Sequence, residues 1–113
     1  MQTEPLVPDP GRNCPVSYCL TVIGGKWKPV LLFCISNGID RFGALQRAIP
    51  AVTKQMLTKQ LRELEADGMI TRTVFAEVPP RVEYALSDKG RSILPVIHAM
   101  RDWGAQAKES HDA

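Results

Sequence analysis

The sequence lacks the patterns that would place the protein in a membrane or outside the cell. No apolar run approaches the roughly 20 residues that a helix needs to cross a bilayer. The N-terminus has neither the basic start nor the apolar stretch of a secretion signal. We therefore expect a cytoplasmic protein that does not bind membranes.

Cysteine and histidine are scarce, which argues against a disulfide framework and against a metal site. The three cysteines, Cys14, Cys19 and Cys34, are odd in number and lack the paired spacing of zinc ligands. The histidines, His98 and His111, have no cysteine or carboxylate at metal-ligand spacing. Glycine-rich phosphate loops, catalytic triad signatures and recognisable carboxylate pairs are also missing. We predict free thiols, no metal, no cofactor and no enzyme activity.

The residues that are present are typical of one folded domain. The chain has 113 residues, of which 44% are hydrophobic and 23% are charged, as in ordinary globular proteins. Its net charge of +2 is compatible with a nucleic-acid partner but is too small to argue for one alone. Prolines and a glycine near the start predict a flexible arm at 1–13. One domain at 14–108 and a frayed tail at 109–113 complete the expected organisation.

Hydrophobic spacing, capping residues and turn residues predict the elements of this domain. The first part of the chain is predicted to form helices over 15–23 and 27–35, a very short strand at Arg41-Phe42, and helices over 44–49 and 54–67. A hairpin of strands 70–76 and 82–86 follows, and a long helix that Pro95 kinks begins after Ser87. The fold class is therefore mainly α with a small β-hairpin (α+β). This order is that of a winged helix-turn-helix, whose second helix enters the major groove of DNA.

The helix over 54–67 has the features of the helix that would contact DNA. Leucines occupy one face, and the candidate DNA-binding residues lie at the cap or largely opposite: Thr53, Lys54, Gln55, Thr58, Lys59 and Arg62. Basic residues lie toward its start and acidic residues toward its end, which opposes the helix macrodipole. That order suits an anionic partner such as phosphate. A merely solvated face is the alternative for these residues.

The hairpin adds a seventh candidate. Arg81 follows Pro79 and Pro80 at the predicted tip, where an extended side chain would reach a minor groove or a phosphate. An ordinary exposed loop arginine is the alternative. Winged helices also act as protein-interaction modules without DNA binding, so that function remains open on the element order alone.

Motifs dispersed along the chain resemble the HxlR-type, MarR-like family of bacterial winged-helix regulators. The resemblance rests on Cys14-Pro15-Val16, Ile23-Gly24-Gly25-Lys26-Trp27, Arg41-Phe42, Leu45, Ile49-Pro50, Met56-Leu57-Thr58, residues 61–68, residues 78–84 and Asp88-Lys89-Gly90. It implies a sequence-specific transcription regulator that binds a roughly palindromic operator as a homodimer. The helix over 53–67 would read the operator and the hairpin would form the wing.

The resemblance also implies that the first and last helices form the dimer interface. The candidate interface residues are Val16, Leu20, Met100, Trp103 and Ala107. The last helix supports this independently, because its apolar stripe is longer than a small helical core needs and would leave a large exposed patch on a monomer.

Cys14 is the candidate redox-sensing residue. Some family members sense oxidants or electrophiles through a cysteine at this place, so an oxidant or small-molecule signal is compatible with the resemblance. Cys14 precedes the helix that Pro15 opens, where amides and the positive dipole end favour a thiolate, and Arg12 is close in sequence. Cys19 and Cys34 lie on apolar faces, where low reactivity is expected. The alternative is that Cys14 is only a small residue at a helix start.

Overall fold

The structure, a computed structural model, describes residues 14–112 and includes side chains as far as residue 110. The elements are α1 (Pro15–Ile23), α2 (Lys28–Ser36), α3 (Phe42–Ala48), α4 (Lys54–Ala66), β1 (Ile70–Phe75), β2 (Arg81–Leu86), α5 (Asp88–Ser92) and α6 (Leu94–Asp112). The strands pair antiparallel, with Ile70 opposite Leu86 and Phe75 opposite Arg81. The predicted fold class is confirmed, while the predicted arm at 1–13 lies outside the described residues.

The hydrophobic core is built around α2, which packs against α3, α4, β2 and α6. Leu31 and Leu32 of α2 are fully buried, together with Leu45 of α3 and Leu57 and Leu64 of α4. Each buried leucine contributes about 1.5–3 kcal/mol relative to an exposed one. Because the leucines of α4 point into this core, the opposite face of α4 is turned outward.

Local hydrogen bonds fix both ends of α4. Thr53 is the N-cap, and its Oγ1 accepts a hydrogen bond from the Met56 amide at 3.1 Å. After the last turn, Gly68 adopts a φ of +74°, and the amides of Gly68 and Met69 donate to carbonyls of α4 at 3.0 and 2.9 Å. Glycine adopts this left-handed conformation without steric cost. The predicted helix with its cap and its stop is therefore confirmed.

The short strand predicted at Arg41-Phe42 is wrong. Arg41 has an extended backbone, but it is the N-cap of α3, and Phe42 is already the first helical residue. A single backbone hydrogen bond, from the Tyr84 amide to the Asp40 carbonyl at 2.8 Å, joins this segment to β2. Because the chain turns into a helix at once, the ladder of bonds that defines a strand does not form.

The predicted long final helix is divided into α5 and α6, with Ile93 between them. Pro95 has no N–H to donate to the carbonyl of Arg91, so the kink predicted there takes the form of a break. α6 continues through Asp112, beyond residue 108, at which the domain was expected to end. No glycine or proline stops the helix after that position.

Within residues 14–112, no single helix has both the length and the apolar composition needed to cross a membrane. Only α1 and α2 taken together meet that criterion, and this pair is bent by 71°.

Candidate nucleic-acid interface

The outward face of α4 brings together five of the predicted DNA-binding residues. Lys54, Gln55, Thr58, Lys59 and Arg62 line one shallow, open surface. All are exposed except Thr58, which is partly buried. The face is held outward because the short turn between α3 and α4 is anchored by buried apolar side chains on both sides. A helix that follows such a turn, with long polar side chains on its free face, has the shape that enters a major groove.

The charges of α4 separate into paired acids and free bases. Glu63 lies 2.7 Å from Nζ of Lys28 on α2, and Glu65 lies 3.3 Å from Nε of Arg72 on β1. The hydrogen bond from Lys28 holds the pKa of Glu63 below its usual range. Over the described residues, the three basic side chains of α4 form no ion pair: Lys54, Lys59 and Arg62. Glu63 also borders this surface and Lys59 helps to lower its pKa, but three bases face one acid that is already paired with Lys28, so the face is positive overall.

Two threonines at the start of α4 have their hydroxyl groups partly committed to the backbone. Thr53 uses Oγ1 to accept from the Met56 amide, and the hydroxyl of Thr58 donates to the Lys54 carbonyl at 2.9 Å. Thr53 thus keeps its proton to donate, and Thr58 keeps lone pairs that can accept. Thr53 can therefore still donate a hydrogen bond to DNA, and Thr58 can still accept one.

The wing arginine differs from the sequence-based expectation. Arg81 folds over the ring of Phe75, which lies directly opposite in the register, with Cζ 4.0 Å from the ring centroid. Its guanidinium also lies 3.2 Å from Glu77 and 3.5 Å from Glu83. The side chain is 31% exposed and is folded back over the hairpin, not extended toward solvent. The cation–π contact and the two carboxylates favour this position. A contact between Arg81 and DNA stays a prediction.

Cys14 is the N-cap residue of α1, and its Sγ accepts a hydrogen bond from the Ser17 amide at 3.4 Å. Hydrogen bonding by Ser17, through its side chain and then its backbone, lowers the pKa of the Cys14 thiol, although burial opposes the shift. The residue is 7% exposed. The structure thus supplies a physical cause for thiolate character at this position. Arg12, the cation expected nearby, lies outside the described residues.

The other two cysteines have a different environment. Cys19 and Cys34 are free, partly buried and packed against the hydrophobic core. Burial raises the pKa of the Cys34 thiol. The neutral form is therefore favoured at Cys34, which agrees with the low reactivity expected there.

An apolar surface runs along α1 and α6 and includes the predicted interface residues. Val16, Leu20, Met100 and Trp103 are exposed, Trp103 at 73%, and Ala107 is partly buried. The first three line an open apolar groove between the two helices. Met100, Trp103 and Ala107 follow one another at helical spacing, so the surface continues along α6. We call this set the α1–α6 face.

Sequence reasoning missed the partners that organise the charged side chains. Lys28 is only 9% exposed in the structure. In the sequence, the one sign of its buried ion pair was its position at the start of an otherwise strongly apolar helix. Arg72 and Glu83 lie on strands, and nothing in their spacing indicates which charged side chain each one meets. Val96, which joins the groove between α1 and α6, was also missed.

Comparisons with known proteins agree with this geometry. The HxlR-like helix-turn-helix family matches residues 22–112. YdeP of Bacillus subtilis, an uncharacterised HTH-type transcriptional regulator, is 48% identical over 104 residues, which cover 92% of this chain and 81% of that protein. The reduced form of the redox regulator HypR has a TM-score of 0.81 at 45% identity, covering 87% of this chain and 97% of that one. Its oxidised form has a TM-score of 0.79 at 48% identity, covering 82% and 96%.

Proposed function

The chain belongs to the HxlR-like helix-turn-helix family of transcription regulators, and from that premise we propose that it binds a roughly palindromic operator as a homodimer. In this proposal α4 is the reading helix and the β1–β2 hairpin is the wing. The major-groove face consists of Thr53, Lys54, Gln55, Thr58, Lys59 and Arg62. A regulator of this kind acts in the cytoplasm, where bacterial DNA lies, and needs no catalytic residue.

The observation that carries the proposal is the separation of charge on α4. The acids of this helix are paired with Lys28 and Arg72, whereas its bases have no carboxylate partner within the described residues. Bases kept free on an exposed helical face attract phosphate and release its counterions. If this face contacted only solvent, ion pairs between its bases and nearby carboxylates would be more stable than unpaired bases. The absence of such pairs within the described residues therefore favours an anionic partner over a merely solvated face.

Homodimer formation through the α1–α6 face would complete the operator-binding unit. Exposed apolar side chains cluster there on two helices that are adjacent in space. Covering such a surface with a second copy removes it from water. A two-fold dimer would present two copies of α4 about 34–36 Å apart, one turn of DNA, which matches a palindromic site.

The experiment begins with genomic mapping of the binding sites of the native protein, which supplies the operator. Affinity for that duplex is then compared between the parent and a variant with alanine at Lys59, Arg62 and Arg81. We expect weaker binding, with relaxed specificity at any base that one of these side chains reads. Alanine at Arg101 and Lys108, two exposed cations of α6, is the control for a loss of positive charge away from the reading face.

Unchanged operator affinity in the triple variant would overturn the assignment of the reading face. The competing function, a protein-interaction module, predicts a different result for the parent itself. Duplex affinity should fall steeply as salt rises if counterions are released, whereas a protein-interaction module would show no such duplex binding.

The proposal includes Cys14 as a thiol sensor of oxidants or electrophiles. Its support is the lowered pKa of the thiol and the similarity to a protein named as a redox regulator. A thiolate that attacks hydrogen peroxide breaks the O–O bond and becomes a sulfenic acid, while the other oxygen takes up a proton and leaves as water. Condensation with a second thiol, including one in the partner subunit, then gives a disulfide and water. Either product at the start of α1 would alter the α1–α6 face.

A further inference from the structure

Four charged side chains connect the wing to the start of the helix-turn-helix. One oxygen of Glu83 lies 3.5 Å from Arg81 and 3.7 Å from Arg41, and Glu77 lies 3.2 Å from the other end of the Arg81 guanidinium. Arg81 and Glu83 belong to β2, and Arg41 is the N-cap of α3. A single carboxylate is thus shared by a wing arginine and an arginine of the DNA-binding motif.

The backbone holds these groups in place. The Tyr84 amide, next to Glu83, donates to the Asp40 carbonyl, next to Arg41, at 2.8 Å. Glu83 is 28% exposed, and Arg81 is packed over the ring of Phe75. The carboxylate is partly buried and lies between two arginines that come from different elements. It sits at the junction where the position of the wing relative to α3 is set.

We propose that Glu83 is a positioning residue that competes with duplex phosphate for Arg41 and Arg81 and thereby weakens the affinity of the protein for DNA. The inference rests on the proposed duplex binding. Two arginines and two glutamates carry no net charge together, so the junction attracts phosphate weakly, unlike the free bases of α4. A phosphate that contacts either arginine must compete with Glu83.

The competition weakens operator and non-operator complexes in different ways. When α4 is inserted in its correct groove, it holds nearby phosphates against the wing, and they displace Glu83 at the cost of its pairing with the arginines. A loosely bound duplex of random sequence holds phosphates there less firmly, so Glu83 keeps its partners and the complex forgoes those phosphate contacts. Removal of the Glu83 charge should therefore tighten both complexes, but it should add phosphate contacts only in the random-sequence complex.

The test is Glu83→Gln, which keeps the size of the side chain and removes its charge. We measure affinity for a random-sequence duplex and for the operator over a range of salt concentrations. Random-duplex binding should become about tenfold tighter at low salt. The slope of log affinity against log salt should steepen by about 2 for a dimer, because Glu83→Gln frees Arg41 in each subunit, Glu77 still pairs with Arg81, and each added phosphate contact contributes about 0.9. Operator affinity should also rise, because operator phosphates no longer have to displace Glu83, but its salt slope should stay nearly unchanged, since those phosphate contacts already form in the parent.

Asp88→Asn is the matched control, because it also removes one carboxylate that pairs with an arginine, here Arg91. It should leave the salt slope unchanged. In a background of Arg41→Gln and Arg81→Gln, the effect of Glu83→Gln should disappear. If Glu83→Gln lowers the melting temperature enough to prevent measurement, Glu77→Gln removes one of the two carboxylates beside Arg81 and should steepen the slope in the same direction but by less, because Glu83 still pairs with both arginines.

The outcomes separate this inference from the proposed function. A parent protein that shows no salt-dependent duplex binding would overturn both. A parent that binds, with a salt slope that Glu83→Gln leaves unchanged or makes shallower in a folded variant, would overturn the role of Glu83 and leave the proposed function standing. A slope that steepens equally in Asp88→Asn would also overturn it, because net charge alone would then explain the effect.

Discussion

Replacing Trp103 with alanine tests the proposed dimer face at its largest side chain. Trp103 is 73% exposed, and Met100 one turn earlier is 48% exposed. An aromatic side chain of this size buries about 150–250 Å² when fully covered, so a partner subunit would remove about 150 Å² of Trp103 from water. At about 25 cal/mol per Å² this corresponds to an upper limit of about 4 kcal/mol for each copy.

A symmetric dimer contains Trp103 twice, so the substitution acts on both subunits. If each truncation costs about 2 kcal/mol, the lower bound for an interface hot spot, the dimer loses about 4 kcal/mol. That loss raises the dimer dissociation constant by about a thousandfold. Sedimentation equilibrium over a range of protein concentrations measures it directly. Operator affinity should fall with the dimer population, since a monomer presents one copy of α4.

Glu109→Ala is the control for this experiment. Glu109 is exposed and lies on the side of α6 opposite Met100, so its truncation should leave the dissociation constant unchanged. A Trp103→Ala variant that dimerises as tightly as the parent would refute the assignment of the face. A parent that is monomeric at micromolar concentration and still binds its operator would refute the homodimer itself.

Three further predictions follow from the described contacts. Gly90→Ala should destabilise the fold by about 1–3 kcal/mol, because an added Cβ would lie 2.0 Å from the Met69 carbonyl oxygen, and an unchanged melting temperature would contradict this. Because the pKa of Glu63 is lowered in the folded state, its contribution to stability is complete above the unfolded pKa and is lost as pH falls through the folded pKa. Urea unfolding across that acidic range should show a weaker pH dependence in Glu63→Gln than in the parent. Mild oxidation should change operator binding of the parent but not of Cys14→Ser, and identical responses would remove Cys14 from the mechanism.

The elements that could be predicted from the sequence are those that local interactions determine. α4 was predicted because Thr53 caps it, leucines recur on one face, and Gly68 stops it with a positive φ. The hairpin was predicted because β-branched residues flank a turn that contains two prolines. Each of these interactions involves residues that are close in the sequence, so the element can be predicted from a short stretch of chain.

The features that could not be predicted depend on contacts between distant parts of the chain. The direction of the Arg81 side chain is decided by Phe75 across the sheet and by Glu83, and spacing does not reveal those contacts. The backbone at Arg41 is extended, as the sequence predicted. Because α3 begins at the next residue, this segment forms one backbone hydrogen bond to β2, from the Tyr84 amide to the Asp40 carbonyl, and does not form a strand. The candidate reading face of α4 was nevertheless predictable, because it follows from helical periodicity once the leucines point inward.

The charge order of α4 shows how a functional arrangement that is locally unfavourable is accommodated by the fold. Bases near the start and acids near the end of a helix each cost about 0.3–1 kcal/mol against the macrodipole when they are exposed. At Glu63 and Glu65 this unfavourable interaction with the dipole is offset by ion pairs with Lys28 of α2 and Arg72 of β1. Since these partners come from outside the helix, the acids form their ion pairs without a base of α4, although Lys59 adds a smaller electrostatic contribution at Glu63. The tertiary structure thereby stabilises the acidic end of α4 and leaves the bases of its exposed face available for phosphate.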